Sequence, residues 1–181
     1  NQLNFDYHQW GLVPRWSKDR KNGNKMINAR VETIAEKPSF REAFFKSRCL
    51  IIADGYYEWI KSGKEKSPYY FLLENHKLFA FAGIRAIWQN GDEIISSCSI
   101  ITTDAAKNVA HIHSRMPIIL SPKNELDWIF PESREKNQLF NILEGRSNDF
   151  LIYYQVSRKV NNPSNNSSDL IKREDKELTL F

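Results

Sequence analysis

The chain is poor in cysteine, has no long apolar run and shows no internal repeat. Its two cysteines among 181 residues, Cys49 and Cys98, lie singly in apolar stretches. That excludes a disulfide framework and a paired CxxC metal knuckle. Their setting reads as buried thiols in a reducing compartment, so a cytoplasmic protein is expected, nucleoid-associated if the source is bacterial. No apolar segment approaches the roughly 20 residues that span a bilayer, and no membrane partner is expected. HExxH is absent, which removes the commonest helical zinc signature. Regular βαβ alternation is absent too, which argues against a doubly wound fold.

The composition that remains is globular: 41% hydrophobic, 13% aromatic and 27% charged. Such a chain can bury a core, and its length suits one domain. A net charge of +4 points only weakly to a polyanion. Its distribution says more, because residues 15–25 carry Arg15, Lys18, Arg20, Lys21 and Lys25 against Asp19 alone. That stretch reads equally as a solvated loop or as a phosphate-attracting one.

Patterning predicts the elements. Residues 39–47 read as a helix with Ser39 as N-cap and Glu42 closing a capping box. CLIIA at 49–53 reads as a strand buried on both faces. Residues 69–73 and 77–87 read as two strands of a hairpin turning at 74–76. Another strand is expected at 93–102, a short helix at 104–110 and a strand at 116–120. A helix should open at Ser121-Pro122 with Glu125 completing its cap, followed by a second at 132–144 and a strand at 150–156. The expected class is α+β: one domain over 1–160, with a mixed, mostly antiparallel sheet curling toward a barrel and short peripheral helices. Residues 161–181 read as a polar loop and charged tail.

Four segments carry polar groups in apolar surroundings. Asn28, between Met26-Ile27 and Val31, either caps a turn or offers an amide donor and acceptor to a substrate. Glu58, in DGYYEW, follows a buried strand. Alternation places Tyr56, Glu58 and Ile60 on one face and Tyr57 and Trp59 on the other. Burial would raise the Glu58 carboxyl pKa toward a general acid/base, while the plainer alternative is a wet carboxylate paired with Lys61. In HIHSRMP, His111 and His113 could serve as metal ligands, but His113 acting with Glu58 in proton transfer is the sharper reading. Thr102 and Thr103 end a strand with hydroxyls suited to a phosphate.

Taken in order, WGLVPRW, NARVET, DGYYEW, ITTDAA, HSRMP and VSRKVNN closely resemble the SOS response-associated peptidase (SRAP) family, from about Trp10 to Asn162. The resemblance implies a sensor of abasic sites in single-stranded DNA. In that family the cysteine exposed by removal of the initiator methionine condenses with the sugar aldehyde. Its amine forms a Schiff base and its thiolate closes a thiazolidine. The implied roles are orientation of the terminal residue by Asn28, ring opening and Schiff-base proton transfer by Glu58, and proton shuttling by His113. Arg30 and Arg115 would meet phosphates, Trp16 would lie against the DNA, and Thr102, Met116 and Pro117 would join the DNA-contacting set. Since the chain opens on Asn1-Gln2-Leu3, the nucleophilic cysteine is expected in a segment ahead of it. Neither Cys49 nor Cys98 is expected to act. No cofactor or metal is implied, and a monomer is expected. The alternatives are a non-catalytic single-stranded DNA-binding module and, more remotely, a metal-dependent hydrolase built on His111 and His113.

Overall fold

The computed structural model describes residues 3–74, 77–131, 135–144 and 151–174. Its strands, in chain order, are β1 (Gln9–Trp10), β2 (Asn28–Arg30), β3 (Arg48–Ala53), β4 (Tyr56–Ser62), β5 (Glu65–Leu73), β6 (Phe79–Asn90), β7 (Glu93–Asp104), β8 (Arg115–Pro117) and β9 (Leu151–Gln155). The α-helices are α1 (Pro38–Lys46), α2 (Pro122–Ile129) and α3 (Lys136–Glu144). Two compact units result: residues 1–52, 79–104 and 115–147, and residues 53–78, 105–114 and 148–181. The α+β class and the mixed sheet expected from the sequence are borne out.

In the first unit β7 is the hub. It pairs antiparallel with β6 and β8 and parallel with β1 and β2, while β3 lies beyond β6. Helix α1 turns Phe40, Ala43 and Phe44 inward at i, i+3 and i+4 spacing, the stripe a core-facing helix needs. These side chains meet Ile84, Ile101, Leu120, Trp128 and Leu139 in one buried cluster. The buried Arg48 donates to the carbonyls of Phe44, Phe45 and Trp128 at 2.7–2.9 Å. That satisfies acceptors which the ends of α1 and α2 leave open.

The second unit is an antiparallel sheet ordered β4-β5-β9. Its Tyr56, Phe71 and Tyr153 occupy one register row and stack at 4.9 and 5.1 Å between ring centres. The opposite face carries Tyr57, Tyr70 and Tyr154, packed with Val156 and Val160. Gly55 is required at the entry to β4, because a Cβ there would stand 2.2 Å from the Tyr70 ring. The VSRKVNN motif has a local purpose. Asn161 accepts the Trp59 indole N–H at 2.6 Å and donates to the Lys66 carbonyl at 3.1 Å, fastening the 3₁₀ turn Arg158–Asn161 to the β4–β5 hairpin.

Several expectations need correction. The strands at 69–73 and 79–90 do not form a hairpin, since β5 pairs with β4 and β9 whereas β6 pairs with β7 and β3. Of the expected turn, Asn75 and His76 lie outside the described residues. Strand β3 is not buried on both faces; it ends its sheet and leaves Ile52 49% exposed. Helix α1 begins at Pro38 after Lys37, so Ser39 lies inside it rather than at its cap. Ser121 does precede α2, with Pro122 in its first turn, but its side chain makes no capping hydrogen bond. Residues 104–110 are no helix: Asp104 ends β7, and hydrogen-bonded turns follow from Ala106 to Ile112. The start of the helix expected at 132–144, residues 132–134, lies outside the described residues.

Candidate functional site

In the first unit, β2 lies parallel to β7 with Asn28, Ala29 and Arg30 opposite Ile100, Ile101 and Thr102. Strand alternation buries Ala29 completely and turns Asn28 and Arg30 to solvent. Neither side chain has a hydrogen-bond or ion-pair partner among the described residues, so an amide and a guanidinium stand open two residues apart. Trp16 is 61% exposed and borders a cavity of about 180 Å³ with Pro14, Arg15, Glu42 and Arg85. The basic stretch is organised rather than loose. Asp19 accepts from the Lys21 N–H at 2.8 Å and caps a 3₁₀ turn, Arg20–Lys25. Arg20 pairs with Glu93 at 2.6 Å, and Arg15 with Glu42 at 3.8 Å.

Arg115 is built differently from Arg30. Its side chain is only 18% exposed. It donates bidentately to Glu32 at 2.8 and 3.0 Å, to Asp104 at 2.6 Å and to the Thr102 carbonyl at 2.9 Å. This network ties β8 to β7 and to the 3₁₀ turn Val31–Thr33 that follows β2. The hydrogen bonds from Arg115 hold the Glu32 carboxyl below the usual carboxylate range, against the opposing effect of its burial. Thr102, Met116 and Pro117 are buried. They support Arg115 from within the fold.

In the second unit, Glu58 shares its sheet face with Tyr56 as strand alternation predicts, and lies opposite Tyr69. Its partner is His113 rather than Lys61. The carboxylate and the imidazole Nδ1 are 3.8 Å apart, within ion-pair range and beyond a hydrogen bond, with Glu58 23% and His113 44% exposed. Burial raises the Glu58 pKa; His113 and a backbone hydrogen bond partly oppose that. Burial also raises the Tyr56 phenol, and Glu58 pushes it further the same way. Tyr56 therefore stays a neutral hydroxyl beside the carboxylate. His111 is exposed and stands 3.5 Å from the Tyr153 hydroxyl. Among the described residues no three His, Cys, Asp or Glu side chains group to hold a metal. The two cysteines are free thiols, and burial pushes Cys49 up to about 12 and raises Cys98. Thiols of that kind are poor nucleophiles.

Sequence reasoning placed Tyr56 on the face of Glu58 without giving it a role, and missed Glu32 and Asp104 as partners of Arg115. The only available signal for the acids was indirect: an arginine set before buried Met116-Pro117 must find acceptors close by. The signal for Tyr56 was its i, i+2 spacing from Glu58.

Comparison with known proteins adds to this geometry. Residues 1–163 match the family described as SOS response associated peptidase (SRAP). "Abasic site processing protein YoqW" of Bacillus subtilis is 44% identical over 166 residues, covering 91% of this chain and 74% of that protein. "Abasic site processing protein HMCES" of Xenopus tropicalis is 31% identical over 188 residues, covering 89% of this chain and 55% of that protein. A solved protein from Bacteroides thetaiotaomicron superposes with a TM-score of 0.82 at 33% identity, covering 91% of this chain and 75% of its own.

Proposed function

The chain belongs to the SRAP family, and on that premise we propose that it processes abasic sites in single-stranded DNA by forming a covalent crosslink. The observation that carries the chemistry is the Glu58–His113 pair. A half-buried carboxyl with a raised pKa stands beside an imidazole without being locked to it. A carboxyl whose proton affinity is raised in this way can give a proton and take it back during the reaction.

The sugar lesion opens when its C1′ hydroxyl loses a proton and the ring oxygen gains one, exposing an aldehyde. The amine of the N-terminal cysteine that the family resemblance implies adds to the aldehyde carbon. The resulting carbinolamine leaves water behind as it becomes an imine, and that departure needs a proton, which Glu58 supplies. The thiolate then adds to the imine carbon while the nitrogen takes a proton, closing the thiazolidine. His113 carries the proton between the sugar oxygen and solvent, and Asn28 holds the terminal residue through its amide. Arg30 and, where its carboxylate partners yield, Arg115 meet DNA phosphates, and Trp16 stacks on an unpaired base for about 1–3 kcal/mol. The same acid–base pair serves autoproteolytic removal of the initiator methionine, with Glu58 taking the proton of the attacking water.

Protein expressed from the complete reading frame is incubated with single-stranded DNA bearing one abasic site and run on a denaturing gel. A shifted, denaturant-resistant band is expected. Salt-sensitive binding with no such band would instead establish a binding module, a reading to which the exposed Trp16 and Arg30 lend themselves. Mass spectrometry of the protein's N-terminus reads the autoproteolysis separately.

A further inference from the structure

The β4–β5 hairpin carries a cationic cluster that the crosslinking chemistry does not use. Its strands join through the two-residue turn Gly63–Lys64, with Gly63 at φ +59°. Lys61 and Lys66 stand directly opposite each other across the ladder. Like charges in that position repel, so sheet stability does not explain the pair. Both share the parity of Tyr57, Trp59, Pro68 and Tyr70, and so point to the face on which the 3₁₀ turn Arg158–Asn161 is packed. That turn adds Arg158 and Lys159.

The positions of these cations are fixed by the backbone. Asn161 binds both the Trp59 indole and the Lys66 carbonyl, and Asn165 donates to the Lys159 carbonyl at 2.7 Å. Of the nearby acids, Glu65 is taken by Arg158 at 2.9 Å. Asp169 is held by Lys172 at 2.5 Å and also feels the charge of Lys159. Lys61, Lys64 and Lys66 have no ion-pair partner among the described residues. Strand β4 ends its sheet among the described residues, and Lys61 lies about 10 Å along it from Glu58 at the usual strand rise, on the opposite face.

We propose that this hairpin is a second, sequence-independent binding surface for nucleic-acid backbone phosphates, engaging DNA that flanks the lesion. The inference rests on the abasic-site reading only for the identity of its polyanion. Lysines carried on a tethered backbone beside a part-exposed tryptophan suit a phosphate backbone with unstacked bases.

The test is fluorescence anisotropy of a labelled, undamaged 20-nucleotide single strand across a salt series, comparing the protein with a Lys61→Gln/Lys64→Gln/Lys66→Gln variant. Loss of three phosphate contacts should flatten the log–log salt slope by about 2 and weaken binding at low salt several-fold. The corresponding triple Lys→Arg variant should retain both. Crosslinking of a short oligonucleotide with one nucleotide on each side of the lesion should be unchanged. An unaltered slope in the Gln variant, with an unaltered thermal transition as the control for folding, would overturn the proposal. Because the ligand is undamaged, failure of the parent protein to crosslink leaves this readout intact, so the two readings fail separately. Lys159→Gln, on a different element, should reproduce about a third of the loss.

Discussion

Arg115 stands 2.6–3.0 Å from the groups that accept its hydrogen bonds, whereas Glu58 and His113 face each other at 3.8 Å. The first unit thus holds a closed ionic network and the second an open one. Physically they do different work. Two carboxylates and a carbonyl around one guanidinium leave little to gain from rearrangement, so Arg115 fixes the geometry of β7, β8 and the turn after β2. A desolvated carboxyl whose charged neighbour stands beyond hydrogen-bond distance keeps its proton affinity high and its proton mobile. Short distances mark the scaffold here, and the long one marks the chemistry.

The comparison is broken most sharply at Glu58. Glu58→Gln keeps the shape and removes the titratable proton, and should slow adduct formation by about 100-fold or more. The rate–pH profile of the parent should carry a limb above the ordinary carboxylate range, and the variant should lose it. Stability should move the other way. A carboxyl whose folded pKa is raised contributes stability below its unfolded value and loses that contribution as pH rises through the folded one. The variant should therefore unfold no more readily than the parent at pH 7, and a lower transition temperature would contradict the desolvated reading. His113→Ala should slow the adduct as well, while leaving binding of undamaged DNA unchanged.

In the closed network the sign reverses. Glu32→Gln removes one side of the bidentate pair and should cost about 1 kcal/mol at pH 7, after allowance for the carboxylate's partial exposure. Glu32 is held low by Arg115, so its contribution is present above the unfolded carboxylate value and lost as pH falls through the folded one. Urea unfolding at pH 7 and again near pH 3 should show the gap between parent and variant closing. A gap that persisted at acid pH would mean that Glu32 acts through packing instead.

The two networks also differ in how far the sequence revealed them. Alternation in GYYEW placed Tyr56 and Glu58 together because a strand's period of two is local and strict. The parallel docking of β2 could not be read, since its partner strand lies about seventy residues on. Nor could Glu32 be matched to Arg115, 83 residues away. The false hairpin has the same origin. Two apolar runs with a short polar break satisfy the local rule, and it is the pairing of β5 with β4 and distant β9, and of β6 with adjacent β7 and earlier β3, that sends them into different sheets. Order of motifs succeeded where propensity failed, because it carries long-range information that single segments lack.

The finest test concerns Asp104, the most exposed member of the Arg115 network, with 85% of its side chain open to solvent. A carboxylate 2.6 Å from Arg115 competes with any phosphate that approaches the same guanidinium. Its exposure means that it stabilises the fold little, so Asp104→Asn should leave the unfolding transition nearly unmoved. Removing the negative charge should tighten binding of undamaged single-stranded DNA by a few-fold at low salt, an advantage fading above about 0.3 M as screening shortens. Arg30, exposed and with no hydrogen bond or ion pair among the described residues, feels only the more distant charge of Glu32 and should show weaker competition. If Asp104→Asn leaves affinity unchanged while Arg30→Ala weakens it, Arg30 alone meets the backbone and Arg115 is scaffold throughout. A tightened Asp104→Asn variant would show instead that Arg115 turns outward to the ligand once its exposed carboxylate is gone.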